Sequence, residues 1–330
     1  MRVLGIESSC DDTGVAIVED GRKILGATVR SSSRIHEDFG GIVPELASRE
    51  HVMAILPALH SVLTSANVPV DGVDVIAVTR GPGLLGSLLV GVTAAKALAL
   101  ALSRPLVGVH HLEAHLYANA LVEPIIFPSV ALLVSGGHTA LYRWSGHGDL
   151  RLLGETVDDA AGEALDKGAR TLGLGYPGGP AIESLARTVT RCDLSLPVPR
   201  LRRPIHPFDF SFSGLKTALV DLAKNHPHQV DELAFALEAA VVQALVEKTV
   251  QAALAEKVKR IYLAGGVSAN LRLRQAMTEM AGAQEISVLV PRPQDSTDNG
   301  AMVAAAGYYA WQLGGRMSLD QAPKTPFSLG

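Results

Sequence analysis

Apolar positions along the chain switch between two periods, and the switches predict its elements. Short strand-like runs cover Val3 to Ser8, Gly14 to Glu19 and Lys23 to Val29, with a tight-turn signal at Asp20-Gly21. Gly40-Gly41 then leads into a helix-period run with Pro44 in its first turn, carried by Leu46, Val52, Leu56 and Leu59. A strand at Val73 to Thr79, the loop Arg80-Gly81-Pro82-Gly83, a long apolar helix to about Leu102 and a strand at Leu106 to Val109 come next. The order then restarts. Val130 to Ser135 and Thr139 to Trp144 predict a hairpin around Gly136-Gly137-His138, with a third strand near Leu150 to Leu153. The stretch from Asp158 to His228 reads as mostly helical, interrupted by glycine and proline. A long helix from Asp231 to Lys257, a strand at Arg260 to Ala264, a helix after Asn270, a strand at Ile286 to Val290 and a helix from Ala301 to Trp311 finish the pattern. Two units of hairpin, third strand and alternating helix and strand predict a duplicated α/β protein with a ligand cleft between the copies. The expected division is residues 1–128, including a histidine-bearing helix, and residues 129–330, with a helical insert at about 155–230.

Composition narrows the class. At 330 residues, 48% hydrophobic and 19% charged, the chain is a packed protein of two lobes with little disordered tail. An acid, Glu7, arrives before a signal-peptide core could form, and Ser87, Lys96 and several glycines interrupt the longest apolar stretch. The expectation is a cytoplasmic protein with no membrane span. Two cysteines, Cys10 and Cys192, exclude a disulfide framework and a cysteine zinc site. A net charge of −4 argues against gripping nucleic acid over the whole surface and leaves room for a local basic patch.

Chemistry concentrates at Val109-His110-His111-Leu112-Glu113-Ala114-His115. On a helix His111 and His115 project from one face, and two neutral imidazoles so placed can share a transition metal ion. The same spacing also arises in solvated or hydrogen-bonded pairs. Asp298, in the polar loop just past the strand at Ile286 to Val290, is the best third ligand, and a His, His, Asp set with open positions is the pattern of a catalytic metal. Glycine loops end three expected strands, at residues 79–83, 134–139 and 263–270, where backbone N–H groups can approach an anion. No P-loop and no dinucleotide fingerprint is present.

Within the insert, Asp159 is an expected N-cap, Glu163 and Lys167 an expected surface ion pair, and Asp166 a candidate acceptor for a ribose hydroxyl. The turn Tyr176-Pro177-Gly178-Gly179-Pro180 either ends one helix and starts another or lets a ligand approach Gly179. Arg200, Arg202 and Arg203 precede three phenylalanines, which suits a nucleic-acid surface or, more commonly, a solvated loop packed by aromatics.

Taken together, the stretches Gly5 to Thr13, Gly41 to Arg49, Val109 to His115, Leu133 to Thr139, Asp158 to Lys167, Tyr176 to Pro180, Asp209 to Lys216, Ala264 to Asn270 and Thr297 to Ala301 closely resemble the tRNA adenosine threonylcarbamoyltransferase family of the bacterial TsaD type, formerly labelled O-sialoglycoprotein endopeptidase. The resemblance implies an actin-like ATPase (ASKHA) fold of two ribonuclease-H-like lobes with a cleft between them. It implies transfer of a threonylcarbamoyl group from threonylcarbamoyl-adenylate to the exocyclic amine of the adenosine 3′ of the anticodon in ANN-decoding tRNA, releasing AMP. Carried over by position, His111, His115 and Asp298 hold one divalent ion, Fe2+ or Zn2+. Leu133, Val134, Ser135, Gly136, Gly137, Asp166, Gly179, Glu183 and Asn270 contact the adenylate or ATP. A TsaB-like paralogue and a TsaE-like ATPase are the implied partners. Asp11 and Glu113 are candidates for the general base. Gly168, a departure from the family pattern, is expected to loosen its helix.

Two rivals follow from the same residues. A metal-dependent peptidase needs Glu directly after the first His; Leu112 stands there, and Glu113 is rotated roughly 200° from His111. An ASKHA-type kinase or nucleotide-binding protein needs an acid near the phosphates and no paired histidines.

Overall fold

Strand β1 (Arg2–Glu7) is buried at every position after its first, so its apolar run is continuous instead of alternating. In the computed structural model every residue is described except Asp38, Gly40, Arg202, Arg203, Pro326, Ser328 and Gly330 and the side chain of Glu37. Gly40 of the expected helix lead-in and Arg202 and Arg203 of the basic cluster therefore lie outside the described residues.

The chain divides into two compact units: Met1–Ile125 with His147–Asp149 and Pro291–Gly330, and Ile126–Gly146 with Leu150–Val290. In the first, β1 pairs antiparallel with β2 (Asp12–Glu19), which pairs antiparallel with β3 (Lys23–Ser31). A short helix α1 (Ser33–Glu37) and the long α2 (Pro44–Ala66) follow. Strands β4 (Val75–Gly81) and β5 (Leu106–His110) run parallel on the other side of β1, separated by α3 (Leu85–Leu102), and α4 (His111–Tyr117) follows β5 directly. The sheet order is β3-β2-β1-β4-β5. Leu4, Ile6, Val15, Ile17, Ile76 and Val78 form its core with Ile55, Val62 and Val92 from the helices. By length and composition α3 could cross a membrane, with a mean hydropathy of 1.9. In the fold it packs on α2 and β4 through Leu88, Gly91, Val92, Ala95 and Ala99, leaving Leu85, Leu89 and Leu100 exposed.

The second unit repeats the plan. Strands β6 (Ser129–Val134), β7 (Thr139–Gly146) and β8 (Asp149–Glu155) lead into helices α5 (Ala161–Thr171), α6 (Gly178–Ala186), α7 (Ser213–Asn225) and α8 (Val230–Ala255). Strand β9 (Arg260–Ala264), α9 (Leu271–Gly282) and β10 (Ser287–Leu289) complete it. The order β10-β9-β6-β7-β8, with β9 parallel to both β6 and β10, is the first sheet's connectivity over again. Helix α8 is buried over most of its circumference, through Leu237, Val241, Leu245 and Val250 among others, and a narrow line of Gln243, Glu247 and Gln251 is polar and outward.

Three expectations change. Residues 291–330 were expected with the second lobe and belong to the first unit, because α10 (Gly300–Gln312) seats on β1 and β2. The insert is helical only in α5, α6 and α7; between residues 187 and 212 the described residues form no helix. There the buried Asp209 carboxylate accepts from the backbone N–H of Glu155 at 3.0 Å, Ile205 at 2.8 Å and His206 at 2.7 Å, drawing those groups away from helical pairing. Phe210 and Phe212 stack beside it with centroids 5.9 Å apart and are buried, so the aromatics of this stretch are core. Finally, Gly168 does not loosen α5. A Cβ there would come 2.1 Å from Leu237 Cδ2, so the missing side chain is the space into which α8 packs.

Candidate active site

Strand β5 passes into α4 without a loop because His110 caps the helix: its Nδ1 accepts from Leu112 N–H at 3.2 Å. The register that follows puts His111 and His115 on one face, ring centroids 4.7 Å apart and planes crossed at 76°. Opposite them, Asn299 caps α10 by accepting from Met302 N–H at 2.9 Å, while its amide donates to Thr297 O at 2.7 Å and Asp295 O at 3.2 Å. That loop carries Asp298. The approach of α10 depends on glycine, since a Cβ on Gly5 would lie 2.2 Å from Gly300 O and one on Gly300 would lie 2.5 Å from Ala16 N. As a result Asp298 Oδ1 lies 3.1 Å from His115 Nε2 and 3.7 Å from His111 Nε2. One ligand atom from each of the three residues falls within 4.8 Å of the others.

Behind His111 stands a residue whose role the sequence reading missed. Glu7 is fully buried, and its Oε2 lies 3.1 Å from His111 Nδ1 while accepting from Thr79 Oγ1 at 2.7 Å; its Oε1 accepts from Ser9 N–H at 2.6 Å. Ser9 Oγ also sits 3.1 Å from His111 Nδ1. An acid at the end of an all-apolar strand was the available signal. Burial disfavours charge throughout this cluster, yet the flanking Glu7 and Asp298 carboxylates push His111 up to about 9, and the two imidazoles pull Asp298 down to about 2. Glu7 is lowered in the same way, against its burial, by His111. With Nδ1–H donated to Glu7, His111 turns its Nε2 toward Asp298; protonated on both nitrogens at neutral pH, it would give up the Nε2 proton to an ion bound there. Two imidazole nitrogens and a carboxylate oxygen with a carboxylate behind one imidazole fit a divalent transition ion, and the arrangement leaves coordination positions open.

The two general-base candidates part company. Asp11 lies in the loop between β1 and β2; burial raises its carboxyl and repulsion from Asp298 raises it further, which places it electrostatically beside the cluster. Glu113 is raised by burial alone, and its charge is felt by Tyr117, one turn along α4 and away from the histidine face. Burial pushes the Cys10 thiol far up, so it is an inert neighbour.

In the second unit Leu133 and Val134 end β6 as buried strand residues, and Ser135, Gly136 and Gly137 form the turn to β7, with Ser135 N–H donating to His138 O at 2.8 Å. A Cβ on Gly136 or Gly137 would meet nothing within 4 Å, so the turn is open on that side, while Gly136 N and Cα pack against Gly162 in the first turn of α5. Asp166 Oδ1 accepts from Gly178 N–H at 2.8 Å and Gly179 N–H at 3.2 Å, tying α5 to the start of α6. Gly178 is the packed glycine of that pair and Gly179 the open one. Asn270 caps α9 by accepting from Leu273 N–H at 2.8 Å and donates to the buried Glu238 at 2.6 Å, so its amide shapes the loop. Glu183 accepts from Leu271 N–H at 2.9 Å and, with Pro180, Ser184, Arg187 and Thr188, lines an open pocket of about 430 Å³. Asp159 is not the N-cap of α5; Ala160 holds that position, and Asp159 instead pairs with Lys167 Nζ at 2.6 Å, alongside the expected Glu163–Lys167 pair at 3.0 Å.

Residues 23–305 match the family described as tRNA N6-adenosine threonylcarbamoyltransferase, TsaD. A protein of that name from Symbiobacterium thermophilum is 51% identical over 323 residues, covering 96% of this chain and 94% of its own length. The one from Bacillus subtilis is 47% identical, covering 97% and 93%. Among solved structures, component A of the Acidaminococcus fermentans (R)-2-hydroxyglutaryl-CoA dehydratase superposes with a TM-score of 0.55 at 14% identity, covering 93% of this chain and 98% of that one. HypF from T. kodakarensis superposes at 0.63 and 14% identity, covering 94% of this chain and 48% of that one. The fold they share with this chain is that of the actin-like ATPases.

Proposed function

This chain belongs to the tRNA N6-adenosine threonylcarbamoyltransferase family, and from that premise we propose how its residues carry out the transfer. It is a transferase that modifies tRNA. The donor is threonylcarbamoyl-adenylate, and the acceptor is N6 of the adenosine 3′ of the anticodon in ANN-decoding tRNA.

An adenine amine is a poor nucleophile because its lone pair is delocalised into the ring, so the acyl donor must be activated and well oriented. His111, His115 and Asp298 would hold a divalent ion, Fe2+ or Zn2+, which when bound supplies Lewis acidity toward the carbamoyl oxygen and a template for the donor. Glu7 keeps His111 in the ligating tautomer. In the second unit the glycine turn at Gly136 and Gly137 receives the phosphate, Leu133, Val134 and Ser135 set the path of that turn, and the open Cα of Gly179, whose N–H is held by Asp166, admits the nucleoside. Asp166 accepts a ribose hydroxyl through the oxygen not bonded to Gly178 and Gly179, while Glu183 and Asn270 hold the surrounding loops. In the reaction N6 attacks the carbamoyl carbon, the bond from that carbon to the phosphate oxygen breaks, AMP leaves, and the N6 proton passes to Asp11. A target base in a single-stranded loop can be splayed out without breaking a duplex. A TsaB-like paralogue and a TsaE-like ATPase complete the working assembly in the cytoplasm, in keeping with a net charge of −4 that suits shared, local contact with tRNA.

The single observation that carries this role is the convergence of two Nε2 atoms on Asp298 Oδ1, with Glu7 behind. Its test is formation of threonylcarbamoyladenosine on tRNA by the purified chain, alone and with added partners, using wild type and His111→Ala. The substitution is expected to abolish modification with the fold intact; wild-type rates in the variant would refute the metal role.

A further inference from the structure

The C-terminal segment runs from the start of β5 past the end of β4 to the histidine helix. Met317 N–H donates to Leu106 O at 2.8 Å, Arg80 Nε donates to Ala322 O at 2.9 Å, and Lys324 N–H donates to Arg80 O at 2.8 Å. At Gly81 a Cβ would fall 1.9 Å from Lys324 O, so the strand end is shaped to let this segment cross it. The crossing ends at His110, which is buried, and whose Nε2 lies 2.8 Å from Phe327 O with the two rings 4.6 Å apart.

His110 is the N-cap of α4, and two of its contacts together determine its tautomer. Leu112 N–H can only donate, so Nδ1 is the acceptor and the proton sits on Nε2; Nε2–H then donates to the Phe327 carbonyl. The same imidazole thus joins the tail on one side to the first turn of α4 on the other. His111 is the next residue, and Thr79, which holds Glu7 behind His111, lies two residues before Gly81 on the strand the tail crosses.

We propose that residues 322–325 together with Phe327 are a strap that positions the metal-bearing helix, with His110 as the positioning residue between them. This rests on His111, His115 and Asp298 binding a metal. A strap that stabilises the ligating arrangement must itself be stabilised by the ion, because coupling between two sites is reciprocal.

The experiment uses the full chain and Zn2+ as probe, with affinity read by competition against a chromophoric chelator. Deletion of residues 322–330 and His110→Ala are each expected to weaken Zn2+ binding about tenfold or more, the usual effect of losing a group that orients a ligand. His110→Asn, which restores an acceptor for Leu112 N–H but cannot mimic the imidazole bridge, is expected to recover part of that loss. In the wild type, added Zn2+ should slow amide hydrogen exchange at Lys324, a readout that needs no variant and separates a strap from general destabilisation. Unchanged Zn2+ affinity in the deletion, or exchange at Lys324 indifferent to Zn2+ while the ion binds, overturns the strap. If the wild type binds no Zn2+, or His111→Ala binds it as tightly, the metal role itself fails and the strap falls with it.

Discussion

At the scale of single residues the site is a chain of oriented groups: Thr79 and the Ser9 amide hold Glu7, Glu7 holds His111, and His111 faces Asp298. Glu7→Gln keeps the shape and removes the charge that orients the imidazole, so divalent-ion affinity should fall by about 10- to 100-fold, measured by chelator competition. Asp11 and Glu113 separate more sharply. If Asp11 takes the N6 proton, Asp11→Asn lowers kcat by roughly 100-fold or more, while Glu113→Gln, on the far side of α4, leaves kcat within about a factor of two. Single-turnover rates on the two variants decide between them. Both histidines and Asp298 were legible in the sequence as candidates, since helical spacing offers a pair and a polar loop at a strand end offers an acid. Glu7 was not, because nothing local distinguishes an acid that closes a strand from one that turns inward to meet a histidine 104 positions away.

At the scale of elements, packing rather than propensity places the ligands. Helix α10 lies backbone against backbone on β1 and β2 at Gly5 and Gly300. Gly300→Ala must move the helix off the sheet; a loss of about 1–3 kcal/mol or more in chemical denaturation is expected, together with weaker metal binding because Asp298 moves with it. Helix α7 begins on a borrowed cap: Asp158 accepts from Phe212 N–H at 2.7 Å, Ser213 N–H at 3.2 Å, Ser211 Oγ at 2.5 Å and Ser213 Oγ at 2.8 Å. Partial burial would raise this carboxyl, but those bonds override it and hold it below the usual range. Since its folded value is the lower one, the stability it contributes is present above the unfolded value near about 4 and is lost as pH falls through the folded value. The melting-temperature advantage of wild type over Asp158→Ala should therefore be full at neutral pH and shrink below about pH 4. The order of strands and helices was legible from the period of apolar residues. The non-helical path from 187 to 212 was not; toward its end the buried Asp209 claims the backbone N–H groups of Ile205 and His206, a side-chain choice no periodicity reports.

At the scale of the whole molecule the proposed chemistry is divided between the two units, the metal ligands in the first and the adenylate residues in the second. The division is testable: Asp166→Ala should weaken AMP binding at least several-fold with Zn2+ affinity unchanged, and His111→Ala should do the reverse, while each removes transfer. Titration calorimetry with AMP and chelator competition with Zn2+ on the same two proteins check it. Loss of both affinities in either variant would break the assignment. The duplicated plan could be read from the chain because each copy spells out the same succession of hairpin, third strand and alternating helix and strand, and local hydrophobic period is a property of neighbouring residues. That residues 291–330 return to the first unit could not, since α10 is as apolar as any helix of the second and its place is set by close approach to distant strands, at Gly5 and Gly14 and through its own Gly300 and Gly307. The sequence by itself determined which residue types were available for metal and adenylate and roughly where each element lies. Tertiary structure alone decided that a carboxylate at 298 meets histidines at 111 and 115, because that contact depends on how closely two backbones can approach, and this is settled by packing between segments far apart in the chain.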